Sequence, residues 1–482
     1  MKYIEKIMKY FERLKKAASE KKYFDKLKKL SSEKKYFERI KKFAFEMSVK
    51  ISRILPAKAA EKLPEKVLCH SFEIAGGIVI LLAVLILTVS GGSKNENISS
   101  GAGVASAEGG RSLEALLTEK CSETAARMKE NSISDPEEET YTVTLCAVGD
   151  NIMHSVINDK AYSGGGMYDY HFLYENVKDV ISSYDIAVVN QETVFVDDPD
   201  EYSGFPYFGT PTSVGDALVD TGFDVILHAT NHVWDKEEYG IFDTINYWKE
   251  EHPEISILGI HEDEEDYERI DTIERNNITF ALLDYTYDMN GFPLPDDEYY
   301  LVNTLQYADG KLLRDISNVE EDVDMTVCFL HCGDEYEFIP TDAQMSIVES
   351  VIDAGADIVI CSHPHVVEPY KKVVTEEGNS GIVYYSCGNF VSAQTTMARV
   401  LGGMASITVK KTVSDDKSET TVEDFDFIPM VTHYTDTEHE IYFLEDYTEE
   451  LASKHLITYE DDSFSKENLW AVWNDVVNAE IM

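Results

Sequence analysis

A chain of 482 residues with 44% hydrophobic content is long enough for two or three domains and too apolar for a disordered polymer. Its 89 Asp and Glu against 42 Lys and Arg give a formal net charge of -47, which opposes nucleic-acid binding because phosphate contacts need basic patches. The charge is divided: residues 1–73 hold 21 Lys and Arg against 10 Asp and Glu, and the remainder holds 21 against 79.

The basic segment 1–73 repeats itself, as "KYFERLKK" at 9, "KYFDKLKK" at 22 and "KYFERIKK" at 35. Phe11 and Leu14 share a helical face, as do Phe24 with Leu27 and Phe37 with Ile40. A 13-residue spacing at roughly 100° per residue does not align these pairs on one straight helix, so separate short amphipathic helices are expected. Two readings of their role stand side by side: lying on the anionic inner leaflet, or meeting a cytoplasmic partner or one another in a coiled association.

Residues 74–90, "IAGGIVILLAVLILTVS", contain 17 consecutive uncharged residues. At about 1.5 Å per residue this run is near the lower limit for crossing a bilayer core, and it predicts one transmembrane helix. A cleaved signal peptide does not fit, because a long basic segment precedes the run. The Lys-rich side is expected in the cytoplasm, which places everything after the span outside the membrane. Residues 91–140 read as a linker around a helix expected over 112–129.

From Tyr141 onward apolar runs alternate with amphipathic stretches. The runs lie at 143–148, 185–189, 224–228, 256–260, 279–284, 325–330, 357–361 and 382–386. Helical patterns such as "TSVGDALVDTG" and "DAQMSIVESVIDAG" precede some of them. This predicts an α/β domain with a largely parallel sheet system, over 141–437. Residues 438–482 read as an acidic, aromatic extension without an assigned role. Four of the seven cysteines, Cys146, Cys328, Cys361 and Cys387, fall inside apolar runs, which favours buried thiols over a disulfide framework.

Polar residues follow five of these runs. "GDNIMH" carries Asp150 and His154, "NQET" carries Glu192, and "ATNHVWD" carries Asn231, His232 and Asp235; "LHCGDEYE" supplies His331, and "CSHPHV" supplies His363 and His365. One histidine after a strand is ordinarily a hydrogen-bonded loop residue. Five such ends in one domain can instead meet in the crevice at the carboxyl edge of a parallel sheet. Oxygen and imidazole donors without thiolate suit Zn, Fe or Mn, and the set is large enough for two ions sharing a carboxylate.

In order, "AVGDNIMH", "VVNQET", "HATNHVWD", "FLHCGDEYEFIPTDAQ", "DAGADIVICSHPHVVEP" and "YYSCGNF" resemble the signatures of the CapA (poly-gamma-glutamate capsule synthesis protein) family, a branch of the calcineurin-like metallophosphoesterase superfamily. The resemblance covers roughly residues 141–394. It implies a four-layer α/β/β/α sandwich, a dinuclear centre at the strand ends, and a bacterial cell-surface protein held by one N-terminal anchor. By motif, Asp150 and His154 would hold the first metal, Glu192 would bridge, Asn231 and His331 would serve the second, and His363 and His365 would divide between the two. His232 resembles the general acid, with Asp235 either orienting its ring or standing as a solvated loop residue. Three residues separate Asp150 from His154 where the wider superfamily has one, and Ser362 replaces a Gly.

Two functions fit these residues. One is a metal-dependent hydrolase acting on a phosphoester or another anionic surface-polymer bond. The other is a non-catalytic accessory subunit of a complex that synthesises or exports an anionic polymer. "SGGG" at 163–166 lacks the Gly-Lys-Ser/Thr of a phosphate loop and reads as a turn.

Overall fold

The computed structural model describes residues 138–305, 310–414 and 417–479. The basic repeats, the apolar run 74–90 and the helix expected over 112–129 lie outside the described residues. Among the described residues no helix is long and apolar enough to cross a membrane.

Two large sheets are built from β1 (Glu139–Asn151), β2 (Ile186–Gln191), β3 (Val225–Leu227), β4 (Ser256–Leu258), β5 (Asp271–Arg275), β6 (Ile278–Thr286), β7 (Met325–His331), β8 (Ile358–Ser362), β9 (Tyr370–Val374), β10 (Ser380–Tyr384), β11 (Asn389–Val391), β12 (Leu401–Ser414), β13 (Lys417–Tyr434) and β14 (His439–Phe443). The first sheet runs β14-β13-β12-β1-β2-β3-β4 with β11 also beside β1, and the second runs β9-β10-β8-β7-β6-β5. All eight apolar runs became strands. Their pairings are parallel at the centre of each sheet, whereas β12, β13 and β14 continue the first sheet antiparallel, and β5 and β9 close the second the same way. The expected largely parallel system is thus a mixed one.

Period-2 alternation sorts each central strand between two buried faces. Val143, Leu145 and Ala147 of β1 join Met325, Val327 and Phe329 of β7 and Ile358 and Ile360 of β8 in one core shared by both sheets. Their neighbours point the other way, toward helices. Cys146 and Val148 pack with α1 (Ser155–Ala161), α2 (Ser213–Thr221) and α3 (Glu237–Glu251) through Ile157, Leu218 and Trp248. Cys328, Leu330 and Val359 pack with α4 (Lys311–Val319) and α5 (Asp342–Ala354) through Ile316, Val348 and Val351. Burial on both faces is why these strands read as unbroken apolar runs. Helix α5 starts at a reciprocal cap, in which the Thr341 side chain and the N3 Gln344 satisfy each other's backbone N–H, and it ends at Gly355.

The described stretch 438–479 is not an appendage. Strand β14 pairs with β13, and α6 (Lys466–Val477) buries Leu469, Trp473 and Val476 in the core shared by the sheets. The Trp473 ring lies 4.8 Å from that of Phe427. The boundary expected at 437/438 therefore falls inside the domain, because the acidic residues of this segment occupy its outer positions while apolar ones recur at helical spacing. Cys146, Cys328, Cys361 and Cys387 are free and buried, as expected, and so is Cys332.

Candidate metal centre

The carboxyl ends of β1, β2 and β3 in one sheet and of β7 and β8 in the other deliver the polar residues. At β1 the register with β2 slips between Val148 and Asp150, and the extra residue is Gly149. A Cβ there would sit 1.8 Å from the Gly388 carbonyl oxygen, so only glycine allows β1 and the 386–389 turn to approach this closely. Such a bulge re-aims the following side chain, here Asp150.

Asp150, Glu192 and His365 form a buried group whose candidate ligand atoms lie within 4.8 Å of one another. His365 Nδ1 donates to Asp150 Oδ2 at 2.9 Å, and its Nε2 lies 3.7 Å from Glu192 Oε1. Asn190 Nδ2 donates to Asp150 Oδ1 at 2.8 Å. Both Glu192 oxygens are buried without a hydrogen-bond partner among the described residues. Burial pushes the Glu192 carboxyl well above the ordinary range, more than the His365 charge holds it down. Burial opposes charge on His365, but Glu192 and Asp150 more than offset this and lift its pKa to about 9. Two carboxylates around one histidine, with oxygens left over, form a donor set that fits a hard or borderline divalent cation once the cation displaces the ring's Nε2 proton.

Around this group stand the other predicted residues. His363 occupies the left-handed region (φ 101), as does His365 (φ 58), and both belong to a segment under backbone strain of the kind found at functional sites. The His363 Nδ1 is buried without a hydrogen-bond partner among the described residues, its ring lies tilted 4.9 Å from that of His331, and burial lowers its pKa to about 4. Asn231 Oδ1 accepts from His331 Nε2 at 3.0 Å, and His331 Nδ1 accepts from Ser362 Oγ at 3.0 Å. His154 is not in the three-residue group. It occupies the N-cap position of α1 without a side-chain cap, and its Nδ1 accepts the Ala393 N–H at 3.2 Å.

His232 and Asp235 form a couple: the His232 Nδ1 donates to Asp235 Oδ2 at 2.7 Å, and that oxygen also accepts the Phe208 N–H at 2.7 Å. The Asp235 side chain is only 2% exposed, so it is not a solvated loop residue. With Nδ1–H fixed by a carboxylate, His232 presents Nε2 as its free ring nitrogen. Phe208 packs edge-on against both His232 and His154, at 4.8 and 5.6 Å.

Two contributors went unassigned in the sequence. Asn190 lay inside the quoted "VVNQET", and its alternation with Glu192 along the strand end was the available signal. Asn290, which donates to the Asn231 carbonyl oxygen at 3.0 Å, comes from a loop with no motif.

Residues 144–394 match the family described as "Bacterial capsule synthesis protein PGA_cap". The chain is 27% identical over 264 residues to the "Capsule biosynthesis protein CapA" of Bacillus anthracis, covering 53% of this chain and 61% of that protein. It is 32% identical over 181 residues to the "PGA biosynthesis protein CapA" of Bacillus subtilis (strain 168), covering 37% and 44%. The chain thus spans less than two thirds of the length of either relative. A solved structure of a hypothetical protein from Thermus thermophilus aligns at 13% identity and a TM-score of 0.32, over 59% of this chain and 98% of that one.

Proposed function

The chain belongs to the bacterial capsule synthesis protein family PGA_cap, and on that premise we propose a membrane-anchored, extracytoplasmic protein of capsule-polymer biosynthesis, with poly-gamma-glutamate as the polymer and a two-metal phosphoesterase-type centre as its chemistry. The observation that carries the chemistry is the pair of partnerless Glu192 oxygens beside Asp150 and His365. The facing sheets with helices on their outer surfaces support the four-layer α/β/β/α sandwich. The anchor rests on the uncharged run 74–90 and the basic residues before it.

Asp150, Glu192 and His365 would hold one divalent ion, with His363, Asn231 and His331 available to a second that shares Glu192. Such ions supply Lewis-acid polarisation of a substrate oxygen. The protein's own contribution is proton handling and orientation. Asp235 holds the Nδ1–H of His232 and would stabilise its imidazolium form, whose second proton, on Nε2, can pass to the leaving oxygen. Asn290 and Ser362 hold Asn231 and His331 in place.

The test strips the full-length chain with chelator, reloads it with Mn, Fe or Zn, counts bound metal and measures hydrolysis of a generic phosphodiester. Two equivalents of metal and metal-dependent turnover are expected, and His232→Ala should lower turnover by about 10²–10⁴-fold with metal retained. Bound metal without turnover on a broad ester panel would turn the assignment to the accessory subunit. No bound metal would refute the metal centre.

A further inference from the structure

We propose that Arg399, backed by the Tyr336 ring, forms an oxyanion-binding subsite at the mouth of the candidate metal centre; this rests on the reading of that centre given above. Of the arginines among the described residues, Arg269, Arg275 and Arg314 each lie within 4.0 Å of an aspartate. Arg399 has no such carboxylate. Its guanidinium carbon lies 3.5 Å from the centroid of Tyr336 instead. An aromatic face holds a guanidinium in place without neutralising it, so its in-plane donors stay available for an anion.

Several contacts tie this pair to the centre. The Tyr336 ring is 6.0 Å from the His365 ring, centroid to centroid. Tyr336 sits in the left-handed region (φ 69), and its N–H donates to the Pro364 carbonyl oxygen at 2.8 Å, between the two site histidines. On the other side, Asn389 Nδ2 donates both to the His365 carbonyl oxygen, at 3.2 Å, and to the Arg399 carbonyl oxygen, at 2.8 Å. Within the same segment the Ala393 N–H reaches His154. Tyr336 is 38% exposed whereas His365 is 4% exposed, so the pair stands between solvent and the buried cluster. Without a cation here, an acidic domain would repel an anionic substrate at the entrance to its own centre.

The ligand class is a phosphate or carboxylate oxygen group flanking the reacting bond. Full-length wild type, Arg399→Ala, Arg399→Lys and Tyr336→Leu are compared by bound-metal count and by calorimetric affinity for two probes, inorganic phosphate and tetraglutamate. Arg399→Ala should keep its metal and lose roughly ten- to a hundredfold in affinity for at least one probe, with the weakened probe naming the oxyanion. Arg399→Lys should recover only part of the loss, because a point charge does not reproduce the fork. If Arg399→Ala keeps its metal and binds both probes within twofold of wild type, the subsite is wrong and the metal reading stands. If wild type holds no metal while Arg399→Ala still weakens a probe, the metal reading is wrong and the subsite stands.

Discussion

Glu192→Gln should strengthen the metal-free fold and weaken the metal-loaded one. In the structure both Glu192 oxygens are buried, neither has a hydrogen-bond partner among the described residues, and the nearest ring nitrogen, His365 Nε2, is 3.7 Å from Oε1. A buried acceptor left unsatisfied costs about 1–3 kcal/mol, and more when charged. The amide keeps the shape and removes the charge that burial disfavours, so a gain of about 1–3 kcal/mol is expected after dialysis against EDTA at a pH where wild-type Glu192 is ionised. A cation present at a thousandfold excess over its dissociation constant adds about 4 kcal/mol to a protein that binds it. Wild type should collect most of that increment with Mn, and the variant, lacking an anionic ligand, little of it. Urea melts of both proteins in EDTA and in Mn measure the two differences. The order should invert between conditions. A variant less stable than wild type in EDTA would refute the argument that these oxygens await a cation.

Glu368 is buried, with Oε2 accepting from Gln344 at 2.9 Å and Oε1 without a partner among the described residues, and burial lifts its pKa to about 8 from an ordinary 4.5. Between those values the folded protein keeps a proton that the unfolded chain releases, so rising pH favours unfolding across that window, at up to about 1.4 kcal/mol per unit. Glu368→Gln should match wild type near pH 4.5 and melt higher by about pH 9, above the folded-state pKa; parallel melting-temperature profiles for the two proteins would count against it. Asp235→Asn should lower turnover tenfold or more at unchanged metal content, by releasing the His232 tautomer, as metal counts and initial rates on the same preparation would reveal. Trp473→Ala should destabilise the domain by about 3–5 kcal/mol in denaturant melts, and deletion of 438–482 should prevent soluble folding; a stable truncated domain would restore the boundary at 437/438.

What the sequence made legible follows from where polarity falls. Strands β1, β2, β6, β7 and β8 are covered on both faces, so each appears as an unbroken apolar run, and the residue just past it stands out by contrast. That is how Asp150, Glu192, His331 and His363 could be picked out together. Strands β12 and β13 reach solvent along half their length, and "TVKKTVSDDKSETTVEDF" hides a long hairpin under an alternating charged pattern. Helix α6 was concealed differently, by net acidity, although Ser465 caps it and Leu469, Trp473 and Val476 mark one face. Asp235 could not be settled from the chain because its value lies in a contact to the backbone of Phe208, 27 residues away in sequence.

The same distinction explains why His154 and His365 diverge although both belonged to one expected ligand set. His365 follows a strand end and a proline, and the strained backbone there turns its ring between two carboxylates. His154 begins a helix, so its ring is placed by the start of α1 and by the Ala393 N–H rather than by Asp150. Burial lowers its pKa to about 4, which leaves a neutral ring packed against Phe208. A neutral imidazole is the protonation state a metal ion requires, but the Nδ1 lone pair is already engaged, so only Nε2 remains for coordination. Recruiting His154 to the first ion therefore requires no break in its existing hydrogen bond, and the Ala393 contact becomes the element that aims it.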